Sequence, residues 1–74
     1  MIWYHISNAD PAGRAVAFTL DCGASANAMS HRGSLRATVT VPAGATSVVH
    51  HLMPKRAAER WSWAARYAAN FIDP

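Results

Sequence analysis

The sequence predicts an all-β fold of about five short antiparallel strands, a small sandwich or meander, and three observations predict it. Side chains alternate between apolar and polar along Arg14–Cys22 and Ser34–Val41, the period of a half-buried strand. β-Branched and aromatic residues fill Met1–Ser7 and Thr46–Leu52, as strands prefer. Clusters of Asn, Asp, Pro and Gly punctuate the chain between these stretches.

Taken in order, Met1–Ser7 is a strand that stops at the turn cluster Asn8-Ala9-Asp10-Pro11-Ala12-Gly13. In Arg14–Cys22, Val16, Phe18 and Leu20 point one way and Ala15, Ala17, Thr19 and Asp21 the other. These two segments are well placed to form an antiparallel pair. Gly23–Gly33 carries small and polar residues without a hydrophobic period, and reads as a loop of eleven residues. Ser34–Val41 puts Leu35, Ala37, Val39 and Val41 on one face. Pro42-Ala43-Gly44 breaks it with one fixed and one permissive φ. Thr46–Leu52 then resumes as a strand, so Thr38–Val49 reads as a hairpin.

The tail, Ala57–Ile72, supports two readings. Its Ala, Arg and Glu content favours a helix, with Trp63, Tyr67 and Phe71 four residues apart. As a strand, it places Trp61, Trp63, Tyr67 and Phe71 all on one side. The alternative fold is therefore α+β, a meander closed by a C-terminal helix over residues 57–72.

With 74 residues the chain is a single small domain, 1–74. A core of this size supplies roughly 3–5 kcal/mol before oligomerisation or stapling helps. Many of its apolar residues are Ala, so too few large ones remain for both a core and a deep cleft, and a non-catalytic protein is expected. One cysteine, Cys22, excludes an intrachain disulfide. Together with an N-terminus lacking signal-peptide features, this favours a reducing, cytoplasmic setting. No stretch reaches the ~20 apolar residues of a membrane span.

The net charge is +3, and six of the seven basic residues lie between Arg32 and Arg66. A solvated face explains such a run most simply, with a nucleic-acid or anionic-membrane patch as the functional reading. The aromatics do not interleave with Lys and Arg as on a single-strand-binding surface, which disfavours nucleic acid. Lys55, Arg56, Arg60, Trp61, Trp63 and Arg66 are the candidate partner-binding residues. Trp61 and Trp63 fit a ligand-stacking role, but in a chain short of large residues they fit a core role better.

No catalytic residue, cofactor or metal is assigned. Cys22 beside one of His5, His31, His50 or His51 is the sharpest enzymatic idea, yet no orienting residue or Gly-rich oxyanion loop sits at recognisable spacing. The adjacent His50 and His51 point to opposite strand faces and cannot chelate one ion in regular geometry. An inward His51 would be a pH-sensitive core position. Asp21, Ser25 and Asn27 offer oxygen to calcium, but with a single carboxylate where such sites collect several.

One longer pattern joins these pieces. Phe18-Thr19-Leu20-Asp21-Cys22 follows Asn8 and leads to Ser25-Ala26-Asn27; then come Ala37–Val41, Pro42-Ala43-Gly44, Val48–Pro54 and Trp61-Ser62-Trp63. This order resembles the small β-sandwich modules that accompany calpain-type cysteine protease domains. There, a strand ending in Leu-Asp precedes a Ser-x-Asn loop, a Val-Pro-x-Gly turn and a Trp-bearing strand. The resemblance spans residues 2–71 and implies that the tail is a strand. It also implies regulation, docking or membrane-surface contact rather than proteolysis, since it carries over no catalytic residue. The expected function is thus a protein-binding or regulatory β module, with self-association through a strand edge as a further possibility. A small phage- or microbe-encoded inhibitor that occludes an enzyme is the alternative.

Overall fold

The computed structural model describes residues 1–72, and the chain is all-β, with no helix among them. Six strands form: β1 (Ile2–Ser7), β2 (Ala15–Asp21), β3 (Ala28–Ser30), β4 (Arg36–Val41), β5 (Thr46–Pro54) and β6 (Arg66–Ile72). They make two three-stranded antiparallel sheets, ordered β1-β5-β3 and β4-β2-β6. Odd-numbered strands lie in one sheet and even-numbered strands in the other. Every connection therefore crosses between the sheets.

This topology corrects three sequence expectations. β1 and β2 are not partners: β1 pairs with β5, whereas β2 pairs with β4 and β6. The Pro42-Ala43-Gly44 unit is an arch rather than a hairpin, because its two strands belong to opposite sheets. Ala45 N–H closes the turn on Pro42 C=O at 3.1 Å, and Gly44 takes φ +81°, which a side chain would resist. The strands beyond it then stack apolar face to apolar face, burying Val41 and Val49 completely. The third correction is β3, a three-residue strand inside the segment read as a loop.

Asn8 holds the two arches together. Its Nδ2 donates to the carbonyls of Arg14 and Val41, both at 2.9 Å, and its Oδ1 accepts from Asp10 N–H at 3.1 Å. Its main chain also donates to Ala45 C=O and accepts from Gly44 N–H. A buried amide is retained when its hydrogen bonds are made in this way.

The core lies between the sheets around Leu20, Cys22, Val49 and Leu52, with Ile2, Tyr4, Ile6, Phe18, Leu35, Val39 and Trp61 packed against them. β1 and β4 alternate as expected, contributing every second side chain. β5 does not. A register shift opposite Tyr4/His5 lets both Val49 and His50 turn inward, as a β-bulge does.

Within the tail only Arg66–Ile72 is a strand, and no part of residues 57–72 is helical, which overturns the helical alternative. β6 pairs with β2 in unbroken register from Asp21↔Arg66 to Ala15↔Ile72. Before it, Ser62 bridges to Ala26 and Ala64 bonds to Ser25, holding the chain extended against its local helix propensity. Tertiary pairing wins over propensity here. Among the described residues no helix is long and apolar enough to cross a membrane.

Candidate functional site

The chain between β5 and β6 carries most of the sequence-predicted partner-binding residues, and the tripeptide Ser25-Ala26-Asn27 fixes its path. Asn27 adopts φ +52°, the left-handed region that Asn tolerates better than most residues. Its Nδ2 donates to Arg56 C=O at 3.0 Å, its Oδ1 accepts from Arg56 N–H at 3.1 Å, and its carbonyl accepts from Lys55 N–H at 3.1 Å. Ala26 exchanges two backbone hydrogen bonds with Ser62. Ser25 Oγ accepts from Ala64 N–H at 3.0 Å and lies 3.2 Å from Ala64 C=O. The side chains weighed as calcium ligands are thus committed to the backbone, and the Asp21 carboxylate accepts from Gly23 N–H.

On this anchored loop, Lys55, Arg56 and Arg60 are exposed, and Arg66 stands at the start of β6. Arg56 pairs with Glu59 at 3.2 Å; Lys55, Arg60 and Arg66 form no ion pair among the described residues. The tryptophans divide. Trp61 packs against the core, while Trp63 remains half exposed with its ring tilted against Trp61, centroids 5.2 Å apart.

β6 follows this loop in the chain, and its residues beyond Arg66 were not among the candidate partner-binding residues. Tyr67, Ala69 and Phe71 stand opposite Leu20, Phe18 and Val16, on the face that those residues present to the core. Yet all seven residues of β6 are exposed. Tyr67 is 75% exposed and Phe71 51%. The core face of one sheet therefore runs past the edge of the other, and no described residue covers it. Phe18 stacks on Tyr67 at 5.7 Å, and the Arg14 guanidinium sits 4.1 Å from the centre of the Phe71 ring. Arg14 is itself held by Asp10 at 2.9 Å. That ion pair holds the Asp10 carboxyl below its ordinary value, chiefly through the Arg14 side-chain hydrogen bond.

The free edge of β6 lacks the usual safeguards. It runs seven residues without a bulge, a proline or a lysine, and its one charge is at Arg66. An edge of this kind is a template for another strand. The opposite sheet shows the contrast. There β3 is short, and Arg32 beyond it donates from Nε to Val49 C=O at 2.5 Å and from Nη2 to Val48 C=O at 3.2 Å. A guanidinium thus caps carbonyls along β5 where β3 ends.

On the outer surface, Asp21 lies between Arg36 and Arg66 in register, and these residues help line an open hollow of about 270 Å³ with Thr19, Tyr67 and Ala68. Two guanidinium groups around one carboxylate leave a net positive wall.

Cys22 is fully buried, and burial pushes its thiol up, with the Asp21 carboxylate adding to the shift. A thiolate nucleophile needs the reverse. Of the paired histidines, His50 and not His51 faces inward: the bulge in β5 changes which residue meets the core. No group of three His, Cys, Asp or Glu side chains among the described residues is placed to hold a metal. No family model matches the chain, and neither a curated protein nor a solved structure does.

Proposed function

We propose that the protein is a non-catalytic binding module that takes an extended acidic segment of another polypeptide along the free edge of β6. The observation that carries this reading is the uncovered core face of β6, with Tyr67 and Phe71 exposed beside an unprotected strand edge. An added strand would gain main-chain hydrogen bonds from the edge, and its alternate side chains would cover Tyr67 and Phe71. Arg66, at the start of β6, favours acidic residues on the incoming chain, and Lys55 and Arg60 on the loop before it add to the positive field. The same charges disfavour a second copy, which would bring a net charge of +3 of its own. Such a role agrees with the calpain-associated modules that the sequence resembles, in which docking rather than proteolysis is implied.

The test is titration of the isotopically labelled protein with two synthetic peptides, one alternating valine with glutamate and one alternating valine with lysine. The glutamate peptide is expected to shift the amide signals of β6, to bind more weakly as salt rises, and to lose affinity in Arg66→Glu. Shifts confined to other strands, equal binding of the lysine peptide, or concentration-dependent self-association through β6 would each overturn the proposal.

A further inference from the structure

A second, unrelated cluster lies on the outer face of the other sheet, where the chain's three methionines collect around His51. Ile2 and Leu52 are paired and packed in the core, so the neighbouring pair Trp3↔His51 faces out. Met53, two residues beyond His51, faces out as well, and Met29 stands directly opposite it. Met1 reaches the same surface, where its Sδ accepts from His51 Nε2–H at 3.3 Å; a metal bound there would take the place of that proton, which moves to Nδ1. Trp3 stacks on the His51 ring, with centroids 3.7 Å apart and planes 11° from parallel, walling one side of the imidazole.

We infer that His51 Nε2 and the thioethers of Met1 and Met53 form a binding site for a soft monovalent cation, copper(I) or its analogue silver(I). The chemistry of the donors selects the ion, because thioethers and imidazole suit soft metals, whereas hard divalent ions want oxygen. None of the three ligands brings a negative charge, so a singly charged ion leaves less uncompensated charge than a divalent one. The spacing fits too. At 3.3 Å apart, the His51 nitrogen and the Met1 sulfur are close enough for one ion to bond both. Met53 lies roughly 7 Å along β5 from His51 by strand rise, within reach of a thioether with three rotatable bonds. His31 is not a ligand: its Nδ1 accepts from His51 N–H at 3.0 Å, so in the neutral ring its other nitrogen carries the proton. Cys22, the strongest soft ligand in the chain, is sealed in the core and does not compete.

The test is a silver(I) titration of the full chain, repeated with copper(I) under reducing conditions, followed by tryptophan fluorescence and by the methyl signals of labelled methionine. One equivalent of silver(I) is expected to change the emission of Trp3 and to move the methyl signals of Met1 and Met53. Met53→Leu, close in volume and on the outer face, is expected to weaken silver(I) about tenfold or more, and His51→Gln likewise, while zinc(II) does not displace it. Met53→Leu and the wild-type methyl spectrum keep the test decisive if His51→Gln misfolds. Unmoved methyl signals, a shift of Met1 alone, preference for zinc(II), or binding lost in Cys22→Ala but kept in Met53→Leu would overturn the site.

Discussion

Ser30 Oγ lies 2.6 Å from His50 Nδ1, and both residues are buried. His50 Nε2 lies 3.2 Å from Leu20 C=O in the facing sheet. A carbonyl only accepts, so Nε2 carries the ring proton, Nδ1 is unprotonated, and Ser30 donates to it. The imidazole is neutral and ties the two sheets together. Burial holds its pKa below the ordinary value near 6.5, with the Leu20 hydrogen bond opposing. Because the folded pKa is depressed, the unfolded chain binds more protons as the solution acidifies. The contribution of His50 is therefore complete above the unfolded value and is lost as pH falls through the folded one. Urea unfolding midpoints are expected to fall as pH drops from 7 toward 5, and His50→Leu should flatten that slope. A variant with the wild-type slope would remove His50 as its source.

Replacing Asn8 attacks the crossing geometry. Asn8→Ala deletes both Nδ2 hydrogen bonds and leaves the carbonyls of Arg14 and Val41 without that donor. Loss of a partner to a buried polar group costs about 1–3 kcal/mol, and two are affected here. Asn8→Asp should also destabilise, because a carboxylate cannot donate to either carbonyl. Chemical denaturation of the two variants measures this. Near-wild-type stability of Asn8→Ala would mean that water replaces the amide.

The faces of the strands were legible in the sequence, but their partners were not. Alternation shows that Val16, Phe18 and Leu20 share a face, yet an arch and a hairpin present the same alternation on both sides of Pro42-Ala43-Gly44. Only the third dimension distinguishes them. Ala28-Met29-Ser30 is too short to carry a period and forms a strand because β5 offers an edge. Strict alternation from Val49 would send His51 inward. The bulge opposite Tyr4/His5 resets that parity, and a bulge leaves no sure mark in a single sequence. At the candidate site, Lys55, Arg56, Arg60, Trp61, Trp63 and Arg66 were named from charge and aromatic content alone. Tyr67 and Phe71 stood out only as tail aromatics sharing a side with Trp61 and Trp63, since nothing local reveals that the covering sheet stops short of them.

Asn27 is expected to control the basic loop without controlling the core. Its side chain bonds both backbone groups of Arg56, and no residue of the segment from Lys55 to Arg60 is buried. Asn27→Gly keeps the left-handed backbone accessible but removes those bonds, so the loop should open locally while the sheets persist. Limited trypsin digestion should then cut faster at Lys55, Arg56 and Arg60, with the thermal midpoint little changed. Asn27→Ala adds the strain of φ +52° and should be the more destabilised of the two. Equal cleavage rates in wild type and Asn27→Gly would show that the loop is held by other contacts.

The aromatic residues of β6 should matter for binding far more than for folding, and a comparison with the core makes this measurable. Leu52 is fully buried; Leu52→Ala removes its burial and leaves a cavity, which costs about 2–5 kcal/mol. Phe71 is half exposed, and its ring meets the Arg14 guanidinium. Phe71→Ala loses part of a side chain's burial and an exposed cation–π contact of about 0.5–1 kcal/mol, without opening a cavity. Its cost should stay well below that of Leu52→Ala, and Tyr67→Ser, at a still more exposed position, should cost less again. If both β6 variants remain folded by circular dichroism but no longer take up the valine–glutamate peptide, the uncovered face is the recognition surface. If Phe71→Ala destabilises the chain as severely as Leu52→Ala, Phe71 is a core residue and the docking role of β6 falls with that result.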